Sequence, residues 1–191
     1  NKNPSFLPLV NLCLFWNENQ PCENRRFIIS NPNHKIMLKT LDKKEFMTES
    51  VMPLLENLTA ETSPQFGLMT AQHMVEHLSL TLKSCTKRIG EIENPPTKGQ
   101  LGFKRFIENG AVLKHRPSDK TKADLPPLKY DNLAAAKAQV QVAIDRFYQH
   151  YAGQPDFKCY NKFFGELGFE ELELFNFMHY RYHLWQFGLI D

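Results

Sequence analysis

A chain of 191 residues is long enough to bury one hydrophobic core and short enough that a single domain is expected. Its 42% hydrophobic and 23% charged residues argue against disorder, and its apolar runs are shorter than the roughly 20 residues that span a bilayer. The net charge of +2, with Lys and Arg spread along the chain, gives no basis for a nucleic-acid or membrane surface.

The first 36 residues have neither helical nor strand periodicity. Lys2 and the apolar run 5–16 resemble a signal peptide, but no small-residue cleavage pattern follows them. We interpret residues 1–36 as an N-terminal extension outside the fold and residues 37–191 as the domain. The four cysteines lack Cys-x-x-Cys spacing, which favours free thiols and a cytoplasmic protein; they are Cys13, Cys22, Cys85 and Cys159.

The first two helices are predicted from their apolar spacing and their caps. One runs from about Lys43 to Asn57, with Asp42 placed as its N-cap. The next begins after Thr70, a good N-cap, and is predicted to continue to about Ile89, before Gly90.

The second half of the chain predicts two further helices. One starts after Asp131 and is closed by Gly153, and the last follows Gly168 and continues to Phe187. About 40 residues rich in Pro, Gly and Lys precede them, with a short helix possible over 101–109. Because nothing alternates over a strand length, we predict an all-α fold, a four-helix bundle with a long crossover between helices 2 and 3.

Histidines recur at helical spacing on the second and fourth helices. His179 and His183 are four residues apart and share one face, and His73 and His77 repeat this arrangement. Two such pairs can converge where the helices cross, and neutral imidazoles are good ligands for divalent transition metals. A His-x-x-x-His pattern also arises by chance, so spacing alone leaves surface or core histidines as an alternative.

Two segments together resemble the DinB-like (YfiT-like) superfamily of metal-dependent hydrolases. The first is Thr70-Ala71-Gln72-His73-Met74-Val75-Glu76-His77, and the second joins Phe163-Phe164-Gly165 to His179-Tyr180-Arg181-Tyr182-His183-Leu184-Trp185-Gln186-Phe187-Gly188. The resemblance covers about residue 41 to the C-terminus. Relatives often carry His-Pro before Phe-Phe-Gly, where this chain has Asn161-Lys162.

This resemblance implies a divalent metal, zinc or nickel, bound by His77, His179 and His183. It also implies a metal-dependent hydrolase or a transferase of low-molecular-weight thiols, acting on a small electrophile, thioester or thiol. An oxepin-CoA hydrolase-like role in phenylacetate degradation is a weaker alternative. The alternative from another class is a non-catalytic bundle that binds metal or acts as a homodimer.

Several side chains beside the histidine stripe are candidate helpers. His73 is expected as a partner of a ligand, and as a fourth ligand or a base otherwise. Tyr180 is a candidate catalytic residue or core packing, and Gln186 lies on the same stripe. Glu76 lies about 100° around the helix from His77, which favours a solvated surface carboxylate over a catalytic base.

Overall fold

The computed structural model describes residues 42–110, 113, 121 and 124–191, so the predicted N-terminal extension lies outside the described residues. The described part is mostly helical, as predicted, with five helices and one two-stranded sheet. Within it, no helix combines the length and the apolar character that crossing a membrane requires.

Helix α1 is continuous but changes its winding. It comprises Lys43–Glu45, a π-helical stretch Phe46–Ser50 and Val51–Glu56, and Asp42 caps its start as predicted by accepting from the Glu45 amide. Pro53 follows the π turns; its ring has no N–H and clashes with the carbonyl four residues earlier in a regular helix. The wider turns provide room at that point.

Helix α2 is Ala71–Ser84 with the predicted cap Thr70, α3 is Lys98–Glu108, α4 is Leu133–Gly153, and α5 is Phe169–Gln186. Helices α2, α3 and α4 begin at side-chain caps, whereas α5 begins after Gly168, whose N–H donates to the Glu171 carboxylate. The prediction that α2 continues to Ile89 is wrong. Residues 87–89 instead form backbone hydrogen bonds with a strand. The Tyr160 backbone N–H donates to the Lys87 carbonyl, and the Ile89 backbone N–H donates to the Tyr160 carbonyl.

A small antiparallel hairpin corrects the all-α prediction. Strand β1, Cys159–Asn161, pairs with β2, Gly165–Leu167, and Gly165 takes a positive φ of 74° at the turn. The Asn161 side chain accepts from the amides of Phe163 and Phe164, which shapes this turn. Strands of three residues are too short to display alternation, so the sequence pattern could not reveal them.

The helices α1, α2, α4 and α5 contact one another in a ring. Helices α1 and α2 each pack against both α4 and α5, with the α2–α4 contact the most extensive, and α3 covers α5 and β2. Phe164 from the hairpin turn packs between Phe103 of α3 and Phe175 of α5. The largest fully buried side chains include Met47, Leu55, Met74, Leu78, Phe147, Phe175, Phe177 and Tyr180. Helix α5 is therefore central, with every side chain from Phe175 to Tyr180 buried.

Candidate metal centre

The three predicted ligands come together in the interior. His77 lies on α2, and His179 and His183 lie one turn apart on α5. Their side chains are 3%, 1% and 1% exposed, so solvent does not satisfy their ring nitrogens. Phe175, one turn before His179, stacks on its ring at 5.4 Å between centroids and forms an apolar wall of the site.

Their Nε2 atoms face one another. The Nε2 of His179 lies 2.9 Å from that of His77 and 3.1 Å from that of His183. Among the described residues, these three form the one group of His, Cys, Asp or Glu side chains placed to hold an ion, with ligand atoms all within 4.8 Å of one another. Two imidazoles that bind one ion at about 2.1 Å have nitrogens about 3.0–3.4 Å apart, so the observed separations lie at the short end of what a shared ion requires.

Burial keeps these imidazoles neutral. It lowers the pKa of His183 to about 4, although the hydrogen bond with Gln186 opposes this shift. Burial also lowers the pKa of His77 and His179 well below the usual value, and the neighbouring histidines lower both further. Neutral imidazole is the form that binds a metal, so the site retains its ligand form well below pH 6.5.

The donor set fits a divalent cation better than it fits shared protons. One ring nitrogen carries at most one proton, so the Nε2 of His179 can share a proton with only one of its two imidazole neighbours at a time. The low pKa values disfavour an additional proton. A cation accepts lone pairs from all three nitrogens together, and three imidazoles are a known zinc ligand set.

Gln186 holds the outer nitrogen of His183. Its Oε1 lies 2.7 Å from His183 Nδ1, and its Nε2 donates to the Phe66 carbonyl at 2.8 Å. Gln186 is 3% exposed. The sequence placed Gln186 on the histidine stripe, but it contained no signal for Phe66, which contributes a backbone atom.

His73 is not part of the group of three converging histidines, and its ring nitrogens have other partners. Its Nδ1 lies 2.7 Å from Thr70 Oγ1 and its Nε2 lies 3.1 Å from the Pro126 carbonyl. The hydroxyl of Tyr180 donates to the Leu78 carbonyl at 3.2 Å, and burial raises the Tyr180 pKa. The bond to Pro126 joins α2 to the segment before α4, and the bond to Leu78 joins α5 to α2. Catalytic roles for His73 and Tyr180 stay predictions.

Glu76 is a buried anchor, so its interpretation as a solvated surface carboxylate is wrong. It is 5% exposed and accepts the amides of Lys129 and Tyr130 at 2.8 and 3.1 Å, and the Gln72 side chain at 3.0 Å. The helical angle was correct, but the chain segment at 129–130 covers that face of α2. Glu76 therefore fastens this segment to α2.

The cysteines that the structure describes are free thiols, as predicted, and both are buried. Burial raises the pKa of Cys85 to about 11 and that of Cys159 to about 12, so both stay protonated at neutral pH. Cys13 and Cys22 lie outside the described residues. A thiolate ligand or nucleophile from Cys85 or Cys159 is therefore disfavoured.

Comparisons with protein-family models, with curated proteins and with solved structures each find no match to this chain.

Proposed function

We propose that this protein binds one divalent transition metal, zinc or nickel, through His77, His179 and His183, and uses it as a Lewis acid in a hydrolase or thiol-transfer reaction. The observation that carries the proposal is the approach of three buried Nε2 atoms, at 2.9 and 3.1 Å, from two separate helices. The proposed scaffold is a DinB-like four-helix bundle; the contacts of α1 and α2 with both α4 and α5 support an arrangement of four helices.

Three protein ligands leave at least one coordination position for water or substrate, which is typical of catalytic rather than structural zinc sites. Bound there, the ion would polarise a carbonyl or lower the pKa of a water or thiol ligand. The chain's own contribution is to hold three neutral imidazoles in place. The stacked Phe175 ring and the buried setting exclude bulk water and strengthen electrostatic interactions at this point. Small electrophiles, thioesters and low-molecular-weight thiols are the proposed substrates.

A non-catalytic metal-binding protein is the second candidate, because the nearby acid–base groups are already engaged. Glu76 accepts two backbone amides, Tyr180 donates to the Leu78 carbonyl, and both His73 nitrogens have hydrogen-bond partners. A general base would therefore have to come from the substrate or from a water molecule. Activity assays separate this candidate from the first.

Metal content is the first test. Protein purified without a His tag and loaded with zinc or nickel is expected to hold one ion per chain, and His179→Ala to hold far less. His150→Ala is the matched control, because its ring packs on Tyr151 and Phe157 and it does not belong to the group of three converging histidines. Equal metal content in the two variants would refute the metal site.

Activity is tested on the same proteins. Thioesterase and thiol-transfer assays are expected to show turnover by loaded wild type and His150→Ala but not by His179→Ala. One ion per chain without turnover in either assay would favour the non-catalytic candidate.

A further inference from the structure

Segment 65–67, just before α2, contacts the C-terminal end of α5 beside His183, the third proposed ligand. We infer that this segment positions that ligand: through Gln186 it fixes His183 in the tautomer whose Nε2 lone pair points at the other two histidines. The inference rests on the proposed function, since it concerns how that metal site is held.

The direction of the hydrogen bonds follows from one backbone carbonyl. The Phe66 carbonyl can only accept, so the Gln186 amide must present its NH2 group to it and its oxygen to His183. An oxygen also only accepts, so the proton of neutral His183 must sit on Nδ1. Its Nε2 then carries the lone pair that metal binding needs.

Segment 65–67 is fastened to α5 at further points. The Gln65 backbone N–H donates to the Gln186 backbone carbonyl at 2.8 Å. The Phe66 ring lies against Trp185 and Tyr182, with centroids 4.8 and 5.7 Å apart. These contacts hold the Phe66 carbonyl opposite the Gln186 side chain. The Gln186 NH2 group therefore stays directed at Phe66 and its oxygen at His183.

Gly67 makes this close approach possible. It has a φ of +84°, and a Cβ built on it would lie 2.7 Å from Gln186 Nε2, well inside contact distance. Any side chain at this position must therefore displace the amide that orients His183. Gly90 provides a matched comparison, because its φ is +90° but a Cβ there meets nothing within 4 Å.

The tautomer can be measured directly in the metal-free wild-type protein by ¹H–¹⁵N NMR of histidine-labelled samples. The His183 ring is expected to carry its proton on Nδ1, and a proton on Nε2 would overturn the inference. In Gln186→Met the signal is expected to move towards a mixture of tautomers. A purely structural role for Gln186 would leave the signal unchanged.

Metal affinity is the second readout, measured by competition with a chelator for zinc. Gln186→Met and Gly67→Ala are expected to weaken binding about 10- to 100-fold, the usual effect of removing a partner of a ligand. Gly90→Ala should match wild type. Gln186→Glu should lose less zinc affinity than Gln186→Met, because a carboxylate still accepts from Nδ1, although it cannot donate to the Phe66 carbonyl.

The two proposals fail differently. If His183→Ala binds zinc as tightly as wild type, the metal site itself is wrong. If His183→Ala loses zinc while Gln186→Met and Gly67→Ala bind like wild type, only the positioning role is refuted.

Discussion

Replacing Glu76 by Gln tests whether this carboxylate is an anchor or a catalytic base. The carboxylate accepts from two backbone amides and one side-chain amide, all within 3.1 Å. A Gln side chain keeps one accepting oxygen but presents an NH2 group to another donor, so at least one charge-assisted bond is lost. Such a bond is worth about 1.5–3 kcal/mol, and a buried donor left without a partner adds to the cost. Glu76→Gln should therefore lower the free energy of unfolding by about 2–4 kcal/mol.

The assay is urea denaturation of the metal-free proteins at pH 7. Glu166→Gln is the control, because Glu166 forms an exposed ion pair with Arg88 at 2.7 Å and should change stability by less than about 1 kcal/mol. Zinc affinity of Glu76→Gln is expected to stay close to wild type, since His77 keeps its own contacts. Unchanged stability together with lost turnover would refute the anchor and point to a base.

Three further tests concern pH, a helix cap and the core. The pKa of His183 is about 4 in the folded protein and about 6.5 in the unfolded chain. The unfolded chain therefore binds a proton that the folded protein does not, so the free energy of unfolding of the metal-free protein is fully present above pH 6.5 and decreases as the pH falls towards 4. From His183 alone, urea denaturation should give about 2 kcal/mol less at pH 5 than at pH 7.5, and equal values would contradict its burial as a neutral ring. Asn132→Ala removes the bond to the Ala135 amide at the start of α4 and should cost about 1 kcal/mol in the same assay. Phe164→Ala empties the space between α3 and α5 and should cost about 3–5 kcal/mol; a loss under 1 kcal/mol would contradict the packing of the hairpin turn.

Helix positions and the pairing of His179 with His183 were accessible from the sequence because they depend on local patterns. Thr70 and Asp42 act as the predicted caps, and the i, i+4 spacing places His179 and His183 on one face. Spacing cannot say which of the two α2 histidines, His73 or His77, lies close to His179 and His183. The family resemblance supplied the choice, and the Nε2 distances agree with it.

Features that depend on distant contacts were not accessible. The end of α2 at Ser84 reflects backbone bonds between residues 87–89 and Tyr160, which replace another helical turn. The burial of Glu76 depends on a segment more than 50 residues away, and the Phe66 carbonyl that orders Gln186 leaves no trace in side-chain type. The end of a helix, the burial of a side chain and the orientation of an amide are each determined here by a tertiary contact, which the local sequence pattern does not encode.

X-ray absorption at the zinc or nickel edge of the loaded protein would identify the atoms that bind the metal. Coordination by His77, His179 and His183 predicts three imidazole nitrogens at about 2.0–2.1 Å, with their outer-ring scattering, and no sulfur ligand. A first shell of sulfur near 2.3 Å, or of oxygen without imidazole scattering, would show that the metal binds elsewhere and would refute coordination by these histidines.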